Sequence, residues 1–121
     1  MQEKYDIIGT NYNLTRKADK YLTGRILENL IPFKGGTYLD IGCGTGNYTS
    51  EFHQLGFDFI GIDPSDQMLK SARLKNEEMD WRAGHAENTS LHNESVDGIV
   101  ASLTMHHWQN VKQSFHEMYR I

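Results

Sequence analysis

The chain has 121 residues, 38% of them hydrophobic and 23% charged, which is room for one domain with a core of its own. Asp and Glu outnumber Lys and Arg by 16 to 12 and the formal net charge is −4, so the overall basic footprint of a nucleic-acid binder is missing. No apolar run approaches the roughly 18 residues that span a bilayer, the polar start Met1-Gln2-Glu3-Lys4 lacks a signal-peptide core, and Cys43 has no partner for an internal disulfide, so a soluble cytoplasmic protein with no membrane partner is expected.

Residues 1–17 carry Tyr5, Ile7, Ile8, Tyr12 and Arg16 without a clean period and read as an irregular or partly helical arm. Over 18–31, Ala18, Leu22, Ile26 and Leu30 recur at helical spacing with Tyr21 and Leu27 beside them, and Pro32 with Gly35-Gly36 ends the helix. A strand follows over 37–41, then a turn with Gly42, Gly44 and Gly46, then a helix over about 47–55 whose Tyr48, Phe52 and Leu55 share a face. Gly56 stops it.

The aromatic and β-branched stretch 57–63 is a second strand, closed by Asp63-Pro64. Ser65 can cap the next helix, where Met68, Leu69 and Ala72 face inward and Lys70, Arg73 and Lys75 face water. A third strand covers 80–84, with His85, Ala86 and Glu87 at its carboxyl end. Polar residues 88–95 form a loop before a fourth strand over 96–102, which leads into Leu103, Thr104, Met105, His106, His107 and Trp108. A last helix, from about residue 109, carries Val111, Phe115 and Met118 on one side.

Strands alternating with helices at this spacing imply right-handed βαβ units and a parallel sheet covered on both faces, an α/β fold in a single domain over 1–121. Within it 1–31 would be arm and cap helix, and 37–121 the core. Trp81, Met68, Phe52, Phe59 and Phe115 are most simply core residues.

The glycine turn is a ligand loop by its chemistry. Three glycines in five residues give up backbone entropy and offer nothing to pack, but they let backbone approach a ligand closely. Asp40 sits just before them at the carboxyl end of the first strand, where open α/β sheets bind ligands. Asp63 falls about 20 positions beyond the loop, the offset of an acid that holds ribose hydroxyls. His85 to Glu87 and Ser102 end the third and fourth strands on the same edge. A dinucleotide loop starting at Gly42 would need Gly or Ala at position 47, where Asn47 stands; the spacing is G-x-G-x-G. A nicotinamide-dependent oxidoreductase is therefore the weaker alternative.

From about Tyr12 onward the sequence resembles class I S-adenosylmethionine-dependent methyltransferases, and within them the small-molecule group that includes the quinone-biosynthesis enzymes. Their first motif is an acid followed by this glycine pattern. The resemblance implies a Rossmann-like sheet with four strands present, ordered 3-2-1-4, of a seven-stranded parent. It implies S-adenosyl-L-methionine as cofactor. Asp40 would meet the amino end of its methionine moiety, Gly42, Gly44 and Gly46 would pass close to it, and Asp63 would bind its ribose. Pro64 and Met68 match the segment beside the adenine, and His85, Ala86 and Glu87 match one that borders adenine, with His85 where the family usually has an acid. Ser102 follows the fourth strand, and Tyr12 and Arg16 sit on an arm that can close over cofactor or substrate.

The acceptor implied is a small molecule. The aromatic motif of enzymes that methylate base amino groups is replaced by Ser102-Leu103-Thr104-Met105, and Cys43 lies inside the cofactor loop, badly placed for cytosine C5 chemistry. Nucleic acid is not expected as a partner. His106 and His107 are the candidate bases should the acceptor need to lose a proton, against the plainer reading that they cap the last helix or face solvent. Adjacent histidines diverge and no nearby Cys, Asp or Glu completes a set, so no metal is expected. Three family strands beyond Ile121 are not in the sequence. This raises the alternative of a truncated, non-catalytic cofactor-binding fragment or paralogue, and an uncovered sheet edge open to self-association.

Overall fold

A computed structural model describes residues 18–102 and 104–121. The arm, with Tyr12 and Arg16, and Leu103 lie outside the described residues. Helix α1 (Lys20–Leu30) begins at Asp19, whose carboxylate accepts the Tyr21 and Leu22 amides, and ends on left-handed Ile31 just before Pro32. Tyr21, expected beside its apolar face, is exposed. Then come β1 (Thr37–Ile41), α2 (Asn47–Gln54), β2 (Asp58–Asp63), α3 (Asp66–Lys75), β3 (Asp80–Ala83), β4 (Gly98–Val100), a single 3₁₀ turn (Met105–His107) and α4 (Val111–Arg120). Ser65 caps α3 as expected, accepting the Met68 amide.

The sheet is parallel and ordered β3-β2-β1-β4, the expected order, and β1 pairs with β2 from Thr37↔Asp58 to Ile41↔Ile62. Side chains alternate across β1, so one strand feeds two cores. Tyr38 joins Phe59, Phe52, Leu69, Ala72, Met79 and Trp81 under α1, α2 and α3. Leu39 and Ile41 join Ile62, Ala86, Leu91 and Ile121 on the other face, where Met118 of α4 packs. The stacked rings of Tyr38 and Phe59, with centroids 5.5 Å apart, and of Phe52 and Phe59, 4.9 Å apart, anchor the first core.

Two expectations need correction. The fourth strand covers three residues, not 96–102: the Asp97 amide still donates to Thr37 of β1, but the Val96 amide before it donates to the Ile121 carbonyl, away from the sheet. The side of α4 bearing Val111 and Phe115 faces outward, at 42% and 52% exposed, while Ser114 and Glu117 are buried. That rotation is stable because both inward polar groups are paired. Glu117 accepts from the Thr89 amide and hydroxyl, both at 2.7 Å, and from Arg120; Ser114 donates to Glu87 and to the Asn110 carbonyl.

Candidate functional site

The carboxyl ends of β1, β2, β3 and β4 open into one cavity of about 540 Å³. Its size suits a drug-sized ligand, within the roughly 300–1,000 Å³ usual for such sites. The walls bring together most of the residues singled out from sequence: Asp40, Gly42 and Gly44 from β1 and its loop, Asp63, Pro64 and Met68 from β2 and α3, His85, Ala86 and Glu87 after β3, and Ser102, His106 and His107 after β4.

The glycine loop is held from below. The amides of Gly42 and Cys43 both donate to the Ile62 carbonyl, at 2.7 and 3.0 Å, and the Gly44 amide donates to Asp63 Oδ2 at 2.8 Å. All three motif glycines have positive φ, between 59° and 77°, a region that costs other residues strain. Their open sides differ. A methyl at Gly42 would overlap the Thr104 hydroxyl, and one at Gly46 would overlap the Trp81 ring, whereas at Gly44 it would meet nothing within 4 Å. Gly46 is not a lining residue; it serves packing over Trp81 and starts α2. Gly44 is the position where a ligand can come close.

Two carboxylates stand at the ends of adjacent strands. Asp40, 4% exposed, accepts from the Thr49 hydroxyl at 2.8 Å. Burial pushes its carboxyl up to about 7; the Thr49 hydrogen bond opposes the rise and the charge of Asp63 adds to it. Asp63 is also buried, and besides the Gly44 amide it accepts the Ser65 amide at 2.8 Å. None of the described lining residues is Lys or Arg, so a bound cation would relieve the crowding of the two acids.

Cys43 lies on the loop with its thiol pushed well above the ordinary value, by burial first and then by Asp40 and Asp63. A thiol held protonated in this way is poorly suited to act as a nucleophile.

On the β3 side, His85 pairs by backbone with Asn88 in a tight turn that leaves the ring exposed, while Ala86 is buried in the second core. Glu87 reaches toward α4 instead of standing free: its carboxylate accepts the Gln109 and Asn110 amides at 3.0 and 3.2 Å and the Ser114 hydroxyl. Burial works against its ionisation, but these hydrogen bonds outweigh it and hold the carboxyl below the usual range. Opposite, His106 and His107 are exposed on the 3₁₀ turn with ring centroids 3.8 Å apart. Sequence reasoning passed over Thr49 and Thr104. Thr49 follows Asn47 on the helix that leaves the loop, a spacing that returns it beneath the strand end; Thr104 carries no local signal.

A family model described as a methyltransferase domain matches residues 39–121. An uncharacterized methyltransferase of Alkaliphilus oremlandii is 34% identical over 84% of this chain and 47% of its own length. A ubiquinone biosynthesis O-methyltransferase of Azorhizobium caulinodans is 32% identical over 73% of this chain and 36% of its own. Among solved structures, a protein of Anabaena variabilis described as a methyltransferase from an antibiotic biosynthesis pathway superposes with a TM-score of 0.83 at 36% identity, over 88% of this chain and 43% of that one. The chain thus spans less than half the length of each of these proteins. With the acid-and-glycine loop, the ribose-acid position and the β3-β2-β1-β4 sheet in agreement, the chain belongs to the class I S-adenosylmethionine-dependent methyltransferase family.

Proposed function

We propose that this domain binds S-adenosyl-L-methionine along the carboxyl edge of its sheet and serves methyl transfer to a small-molecule acceptor. The observation that carries the reading is the pair Asp40 and Asp63 on adjacent strand ends, flanking a loop whose Gly44 leaves open space, with no Lys or Arg among the described lining residues. The residues suit the cofactor. Asp40 is a buried carboxyl with one neutral donor, and an ammonium would stabilise its charged form. Asp63 lines the cavity at the end of β2 and accepts the Gly44 and Ser65 amides, which fix its carboxylate at the edge where ribose hydroxyls would lie. Pro64, Met68 and Ala86 offer apolar surface to a base, and His85 stands at its edge.

When bound, S-adenosylmethionine supplies a methyl group on a sulfonium that leaves as a neutral thioether. The protein's work is then to align methyl and acceptor and to exclude water, with the two acids holding the cofactor in place. His106 and His107, exposed on the cavity rim, are placed to accept a proton from an acceptor that must lose one. The described lining residues include no Lys or Arg to meet the phosphates of a nucleic acid, which supports a small-molecule acceptor.

Titration calorimetry with S-adenosylmethionine, S-adenosylhomocysteine and NAD tests the reading. Binding of the two sulfur ligands and not NAD is expected. NAD binding alone would overturn it in favour of an oxidoreductase. Binding of S-adenosylhomocysteine without methylation of any acceptor pool would make this a non-catalytic cofactor-binding chain.

A further inference from the structure

Thr104 lines the cavity from the stretch between β4 and the 3₁₀ turn, and it plays no part in the site as described so far. Its side chain lies over Gly42, where a methyl group would overlap the hydroxyl and stand 2.8 Å from Thr104 Cβ. The residue is 9% exposed, yet its hydroxyl makes no hydrogen bond among the described residues. Nor is that oxygen sealed away. The enclosed and unpaired side-chain polar atoms among the described residues are Ser50 Oγ, Ser95 Oγ and Trp108 Nε1. The Thr104 oxygen therefore reaches open space, and the space this residue borders is the cavity. A hydroxyl can donate one hydrogen bond and accept two, so a ligand that fills the cavity and displaces water from this oxygen must pair with it or meet a desolvation cost.

Sheet order says which part of the ligand that is. Along the edge the lining residues run from His85 and Ala86 after β3, through Asp63 after β2, to Asp40 and Gly42 on β1, and then to Thr104 beyond β4. The adenosine end belongs to the β2 and β3 side, so Thr104 stands across β1 from it, next to the loop that follows Asp40. Resting on the reading of the site as an S-adenosylmethionine pocket, we propose that the Thr104 hydroxyl hydrogen-bonds the amino-acid end of the bound ligand, acting with Asp40 to position it.

Two ligands separate this from a packing role: S-adenosylhomocysteine, and 5′-methylthioadenosine, which keeps the adenosine thioether and lacks the amino-acid end. Thr104→Val keeps the shape against Gly42 and removes the hydroxyl; Thr104→Ser keeps the hydroxyl. Calorimetry should show Thr104→Val losing about tenfold in S-adenosylhomocysteine affinity, the scale of one hydrogen bond to a charged group, with methylthioadenosine within about twofold of wild type. Thr104→Ser should stay within about threefold for both. Unchanged S-adenosylhomocysteine binding by Thr104→Val would overturn the proposal, and equal losses for both ligands would reduce Thr104 to a support for the loop. If the wild-type chain binds neither ligand, the reading of the whole site falls with it.

Discussion

Asp63 Oδ2 accepts the Gly44 amide at 2.8 Å, so the carboxylate that ends β2 fixes the middle of the loop that follows β1. The same side chain accepts the Ser65 amide at the entry to α3. If Asp63 binds the ribose as proposed, removing it should show that role together with its two structural duties. Asp63→Ala is expected to lower S-adenosylhomocysteine affinity by about tenfold or more and to cost about 1–3 kcal/mol of stability, read by calorimetry and urea unfolding. Lower stability with unchanged affinity would make Asp63 a loop tether only.

Asp40 gives the site a pH dependence of definite sign. Its carboxyl titrates near 7 when folded and near 3.8 when free. Below both values it is protonated in either state and costs nothing; as pH rises through the folded value, its buried charge lowers the stability of the ligand-free protein. Asp40→Asn should therefore be more stable than wild type at pH 8 and little different at pH 4 in thermal unfolding. Ligand binding runs the other way, because an ammonium needs the charged carboxylate. S-adenosylhomocysteine affinity should fall as pH drops below about 7, by up to about tenfold per pH unit. A flat profile between pH 5.5 and 8 would exclude Asp40 as the ammonium partner.

The motif glycines should respond differently to alanine. Gly44→Ala meets open space and pays only the left-handed backbone, about 1–2 kcal/mol. Gly46→Ala pays that and also drives a methyl into the Trp81 ring, a clash worth about 1–3 kcal/mol more. Urea unfolding should rank Gly46→Ala as the less stable variant, while Gly44→Ala keeps most of its stability and loses ligand affinity. The reverse order would contradict the described packing.

Glu117 should set part of the acid limit of the fold. The hydrogen bonds of Arg120 come first among the causes that hold its carboxyl down, to about 2, with burial opposing and the Thr89 amide and hydroxyl adding to the lowering. The ordinary value is 4.5, so this stabilisation is complete above that pH and is lost as pH falls toward 2. Glu117→Gln is expected to cost on the order of 2 kcal/mol at pH 7, with the gap to wild type closing near pH 2 in chemical unfolding. A gap independent of pH would assign the loss to packing alone.

Much of this was legible in the sequence because it is local. Apolar spacing located α1, α2 and α3, the β-branched and aromatic runs located β1 and β2, and the acids at strand ends pointed to the cavity edge. What the sequence hid depends on contacts between distant segments. Val96 has strand composition, but its amide is claimed by Ile121. Val111 and Phe115 read as a core stripe, but the pairing of Glu117 with Thr89 turns α4 the other way. Glu87 matches an adenine-side position, yet its carboxylate reaches Gln109 and Asn110, a relation no local pattern encodes.

Trp81 lies against Gly46 and Gly61, and its indole N–H donates to the Asn76 carbonyl at 2.7 Å. The chain has one other tryptophan, Trp108, which lines the cavity itself. The domain thus carries two tryptophan fluorophores, one packed under the glycine loop and one lining the space a ligand would fill. Their emission is a built-in optical gauge of occupancy, usable without a label and without knowing what the second substrate is.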